Sequence, residues 1–263
     1  MTSAPMPVQQ GRQTPMNTWR LERLRLTRSR RWMALFGVYV VFGLLGPVLA
    51  RYMAQLVQRA QSEITIIVPP PQPRDGVVNY LSQVSQIGLI VVVVIAAAAL
   101  TFDARRGVST FLRTRAASMW RLVVPRVVTS GAAAVLAYTA GLAAAWYGTT
   151  VLLGPLPAGP MLAGLLCEWL YLAFTVAIVA AAASLARTTL GTVGLGLGAL
   201  ITLSIAGTVS AVHDWLPTSL AGAPVGLLGP DTLGDYLPAI VVALAASTAL
   251  VAFAVHRLQR REI

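Results

Sequence analysis

Residues 87–126 read IGLIVVVVIAAAALTFDARRGVSTFLRTRAASMWRLVVPR, and the two halves of this stretch decide the fold. Residues 87–100 form an uninterrupted apolar run. Its β-branched centre would suit a buried strand, but its length and its closing alanines point to a helix embedded in lipid. The connector that follows, residues 101–126, carries six arginines and one acid. Phe111, Leu112, Met119, Trp120 and Leu122 are interleaved with those charges. A connector that only had to stay soluble would not need these apolar positions. The pattern points to a surface that docks on a soluble partner just under a membrane.

Composition extends this reading to the whole chain. Of 263 residues, 56% are hydrophobic and only 11% charged, and mean hydropathy is +0.71. Globular domains carry about 25% charged residues. So few polar groups cannot cover a water-facing surface, and an all-α polytopic membrane protein is expected. All 20 basic residues are arginine, which with the Ala, Gly and Pro load suggests a GC-rich bacterial genome and hence a multi-pass protein of the bacterial inner (plasma) membrane. The single cysteine, Cys167, cannot form an intramolecular disulfide and reads as a packed membrane residue.

In chain order, residues 1–18 have no apolar periodicity and are expected to be a disordered tail. Residues 19–263 form the membrane domain. Trp19 to Trp32 reads as a basic juxtamembrane helix held by anionic lipid headgroups, or equally as a solvated basic flank. Six spans are expected, over about residues 33–50, 80–100, 127–153, 161–186, 190–212 and 236–255. The first is too long for the apolar stretch of a secretory signal, about 7–15 residues. The prolines of 68–76 are expected to exclude helix there. Residues 213–235, an apolar outer segment broken by Pro217, Pro224 and Pro230, read as short pieces that dip back into the protein.

Charge tests that topology independently. With the N-terminus inside, the inner segments hold 17 of the 20 arginines, and five of the nine acids fall outside. The bias sits in short segments next to the spans, where the positive-inside rule applies. Six helices with both termini cytoplasmic account for the net charge of +11, which removes the reason to invoke nucleic-acid binding.

Few residues offer chemistry. Glu168 is the one ionisable residue deep within a span, about seven residues or roughly 10 Å from its outer end. It reads either as a substrate-path or gating group or as a locally hydrogen-bonded structural carboxylate. Trp169 and Tyr171 fit an outer aromatic belt as well as a site. Gly194 and Gly198 form a G-x-x-x-G pair, read as a helix-packing or dimer contact. His213 and Asp214 read as a polar cap at a helix end. His213 and His256 fall on opposite sides of the membrane and cannot share a metal or a triad. With no lysine in the chain there is no Walker motif. No enzyme activity, metal or cofactor is therefore expected.

The basic pre-helix, the six spans, the polar connector and the broken outer segment together resemble the ABC-2 family of ABC transporter permeases. The connector carries the sequence match through Asp103, Gly107, Phe111, Leu112, Trp120 and Arg126. Val108 stands where the family has Thr, and Ala116 where it has Pro. The resemblance implies a permease dimer, with a second copy or a paralogue, docked on ABC ATPase subunits and most often exporting. It implies that the connector holds a cytoplasmic coupling helix, which assigns ATPase contact to Asp103, Arg105, Arg106, Gly107, Phe111, Leu112, Arg113, Arg115 and Trp120. It further implies that the helix before span one lies along the inner interface and that the outer segment closes the exit. The alternative from the residues alone is a stand-alone channel or proton-coupled carrier that uses Glu168.

Overall fold

The computed structural model describes residues 18–60, 70–101 and 120–260. Among these residues there is no strand, and six helices are long and apolar enough to cross a membrane. The protein is an all-α polytopic membrane protein. The remainder of the expected N-terminal tail and the connector from Phe102 to Met119 lie outside the described residues.

Helix α1 (Thr18–Arg28) is the basic pre-helix, and α2 (Arg31–Ala60) is the first span. The helix outruns the span expected to end at about residue 50: the membrane-length stretch ends at Met53, and α2 continues to Ala60 because residues 52–60, YMAQLVQRA, contain neither Gly nor Pro. Arg51 also ties that end of the helix down, donating from Nη1 to the Leu152 carbonyl at 3.0 Å. Helix α3 (Pro73–Leu100) begins seven residues before the expected start. The prolines do not exclude helix throughout 68–76. Pro73 is the first helical residue, where its missing N–H costs nothing. The Asp75 carboxylate caps the turn, accepting from the Gln72 N–H at 2.7 Å. Within α3, Val84–Gly88 form a π-helical turn.

Helix α4 (Trp120–Leu152) starts inside the connector, so residues 120–126 are helical. Gly154 turns the chain with φ +122°, a backbone region open to glycine. Helix α5 (Ala158–Leu185) follows. Helix α6 (Thr189–Ala206) is capped by the Thr188 side chain, which accepts from the Gly191 N–H at 3.1 Å. It ends at Ala206, not 212, because the chain turns at Gly207, whose carbonyl is held by His213 Nδ1 at 2.9 Å. Helix α7 (Leu237–Arg260) carries the last span five residues past the expected 255.

Between α6 and α7 the chain makes short pieces, including a 3-10 turn at Pro217–Gly222 and a single α turn at Ala223–Gly226. Leu220 and Ala223 in these pieces are fully buried. They pack on α5 and approach it closely: a Cβ at Gly164 of α5 would lie 2.5 Å from Pro224 Cα.

The core is built around α5. Of its most apolar window 72% is buried, against 17% for α6, so α5 is the inner helix and α6 a peripheral one. In lipid there is little hydrophobic drive between helices, and close packing of small residues takes its place. The α2–α4 crossing shows this: Gly43 lies against the Gly141 carbonyl, and a Cβ at Gly141 would stand 2.6 Å from the Tyr39 carbonyl. Two turns further along the same face of α4, Gly148 receives the Pro47 ring, with its would-be Cβ 3.1 Å from Pro47 Cγ.

Candidate functional site

Among the described residues the buried acid is Glu168. It lies ten residues into α5, about 15 Å along the helix. The expected depth of about seven residues is corrected, because α5 begins at Ala158, right after Pro157, and adds a turn at that end. Its side chain is only 5% exposed, and Oε2 has no hydrogen-bond partner among the described residues. A charged carboxylate at a helix centre in a membrane costs on the order of 2.5–3.5 kcal/mol on insertion scales. The expectation of a locally hydrogen-bonded structural carboxylate is therefore not met at Oε2.

Tyr39 of α2 and Tyr171 of α5 share a pocket with this carboxyl group, and Tyr138 of α4 packs on Tyr39 and on Tyr80 of α3. All four tyrosines are buried. Tyr39 and Tyr138 meet edge to face, with centroids 6.0 Å apart at 70°, and Tyr80 and Tyr138 are 5.8 Å apart at 49°. Such pairs add about 0.5–1.5 kcal/mol each beyond the area they bury. The Tyr80 hydroxyl donates to the Tyr138 carbonyl at 3.2 Å, whereas the Tyr138 hydroxyl has no partner among the described residues.

Glycines make room for the phenols. A Cβ at Gly88, the last residue of the π turn, would stand 3.1 Å from the Tyr39 hydroxyl, and one at Gly141 would stand 2.6 Å from that of Tyr80. Glu168, Tyr39 and Tyr171 line a partly open pocket of about 10 Å³, together with Val84 and the exposed Ser85 of the π turn and Ala221 of the outer segment. That is room for about one water-sized body.

Tyr171 thus belongs to the site, while Trp169 turns away and donates from Nε1 to Thr139 Oγ1 of α4 at 3.0 Å. The sequence reading does not single out Tyr39, Tyr80 or Tyr138; Tyr39 and Tyr138 are phenols set in apolar runs, a visible pattern, whereas Tyr80 stands among Asn79, Ser82 and Gln83. Cys167 is buried with a free thiol, as expected of a packing residue.

The glycine pair behaves differently from its within-bundle reading. Gly194 and Gly198 have no neighbour within 4 Å of a would-be Cβ, while Gly196 faces Val179 and Val93 at 3.4 and 3.6 Å. Packing within one copy therefore uses the intervening glycine, whose face of α6 also carries the buried Thr192 and Leu200. Of the connector residues, Trp120 is half-exposed at the start of α4. Asp103, Arg105, Arg106, Gly107, Phe111, Leu112, Arg113 and Arg115 lie outside the described residues. Among the described residues no group of three or more His, Cys, Asp or Glu could hold a metal ion. Comparison with models of known protein families gives no match, and comparison with curated proteins gives none.

Proposed function

We propose that this chain is the membrane-spanning subunit of an ATP-driven transporter, a permease of the ABC-2 type that works as an exporter. It pairs with a second copy or a paralogue in the bacterial inner membrane and takes its energy from a separate ATPase chain docked on residues 101–126. The observation that carries this reading is the outer segment: Pro217–Gly222 and Ala223–Gly226 are short helices packed on α5 between two spans, the device the resemblance implies at the exit. The inner end supports it too, since α1 packs on α4 directly after the connector.

Reconstitution separates this reading from its rival. Vesicles holding the permease with its ATPase should accumulate solute only with ATP, and vesicles holding the permease alone should accumulate none. The second reading, a stand-alone channel or proton-coupled carrier, draws on the buried carboxylate of Glu168. Under it, the chain alone would move solute or protons, and Glu168→Gln would stop that movement.

A further inference from the structure

Glu168 places one carboxyl group in the bundle, neutral when protonated and carrying one negative charge when a cation takes the proton's place. Among the described residues the ion pairs Arg25–Glu22 and Arg126–Glu22 lie elsewhere. Buried charges are ordinarily paired. The side chain is 5% exposed, its Oε2 lacks a hydrogen-bond partner among the described residues, and it lines the cavity with Tyr39 and Tyr171.

The wall of the cavity is unusual for an independent reason. Helix α3 leaves α geometry at Val84–Gly88, and Val84 and Ser85 of that π turn face the cavity. Such single π turns occur frequently at functional sites. Here the turn also sets Gly88 under the Tyr39 hydroxyl, fixing one wall against another.

Three properties narrow the occupant. A single carboxylate balances one positive charge, and no cluster of three or more His, Cys, Asp or Glu accompanies it among the described residues. A divalent cation takes about six to eight oxygen ligands, typically with several carboxylates. The cavity, at about 10 Å³, admits a body about the size of one water. The walls fit a cation: phenol oxygens carry lone pairs, and tyrosine ring faces attract positive charge.

We propose that Glu168, Tyr39 and Tyr171 bind one monovalent cationic centre of water size, supplied either as a free alkali or ammonium ion or as the terminal ammonium group of a larger solute. This assignment is a statement about binding and holds whichever transport mechanism the chain serves.

The test uses the purified full chain in lipid nanodiscs. Thermal unfolding is followed while sodium, potassium, ammonium, methylammonium or choline chloride is titrated at constant total ionic strength. A saturable rise in Tm with at least one small cation, and none with choline, is the expected result. Saturation by an inorganic ion identifies a free-ion site; saturation by methylammonium alone identifies the ammonium end of a larger solute. Glu168→Gln should abolish the response, and Tyr39→Phe, which removes one oxygen contact to the cation, should weaken the apparent affinity about tenfold, the size of a hydrogen bond to a charge in the ammonium case. If Glu168→Gln fails to fold, Tyr39→Phe and Tyr171→Phe, which keep the charge and the rings, carry the test. The assignment is overturned if choline acts like the small cations, if the tyrosine variants respond as the parent does, or if no cation shifts Tm.

Discussion

The carboxylate of Glu22 accepts a hydrogen bond from Nε of Arg126 at 2.7 Å, across 104 residues of chain. The arginine side chain is 4% exposed and that of Glu22 12%, so this pair is withdrawn from water, unlike the looser Glu22–Arg25 contact at 3.8 Å. It locks the pre-helix α1 to the first turns of α4, where the connector re-enters the bundle. Removing one partner of a buried pair leaves an uncompensated charge and costs about 3–5 kcal/mol. Glu22→Ala should therefore lower the Tm clearly and speed tryptic cleavage after Arg20, Arg25 and Arg28. Unchanged cleavage would show that α1 is held by other contacts.

Gly141 sits where α2, α3 and α4 meet. Any side chain there collides with the Tyr39 carbonyl and the Tyr80 hydroxyl, each 2.6 Å from the would-be Cβ. Overpacking a tight site costs about 1–3 kcal/mol. Gly141→Ala should destabilise the protein by that amount in thermal unfolding, while Gly131→Ala, which meets no atom within 4 Å, should not.

Gly194 and Gly198 give the opposite expectation. Their open surroundings predict that Gly198→Leu leaves the unfolding free energy of one copy within about 0.5 kcal/mol of the parent, as for substitutions away from packed sites. If the face joins two copies, the same variant shifts the protein from dimer to monomer in sedimentation in detergent. A dimer that persists removes this face from the contact.

Trp169 and Thr139 link α5 to α4 through one hydrogen bond of 3.0 Å. Thr139→Val keeps the shape and removes the acceptor, and should cost about 1 kcal/mol by thermal unfolding. A larger loss would mean that the hydroxyl does more than receive this indole.

The six spans were readable because their runs of apolar residues exceed what any soluble element needs, and because 17 of the 20 arginines fall in alternate segments between them. Their ends were less readable. Pro73 looked like a helix breaker but stands at the one helical position that suits it, and residues 52–60 continue α2 despite Arg51 and Arg59. The site was half legible. Glu168 stood out by its charge, but the tyrosine cluster beside it comes from positions 39, 80 and 138 on three other helices, and no local spacing links them. The glycine pair at 194 and 198 leaves packing within one copy and contact between copies both open for the same reason: a motif shows that close approach is possible, not which helix approaches. The glycines that do carry close contacts, Gly43, Gly141 and Gly164, belong to no stripe.

The central claim is that the connector grips an ATPase, and charge reversal tests it most directly. The tagged chain is purified from native membranes with and without Arg113→Glu and Arg115→Glu, and co-purifying chains are identified by mass spectrometry. The account predicts that a chain with a Walker motif accompanies the parent protein and is lost from the double variant, while both proteins keep the same Tm. Retention of that chain by the double variant, or its absence from the parent, would contradict the account.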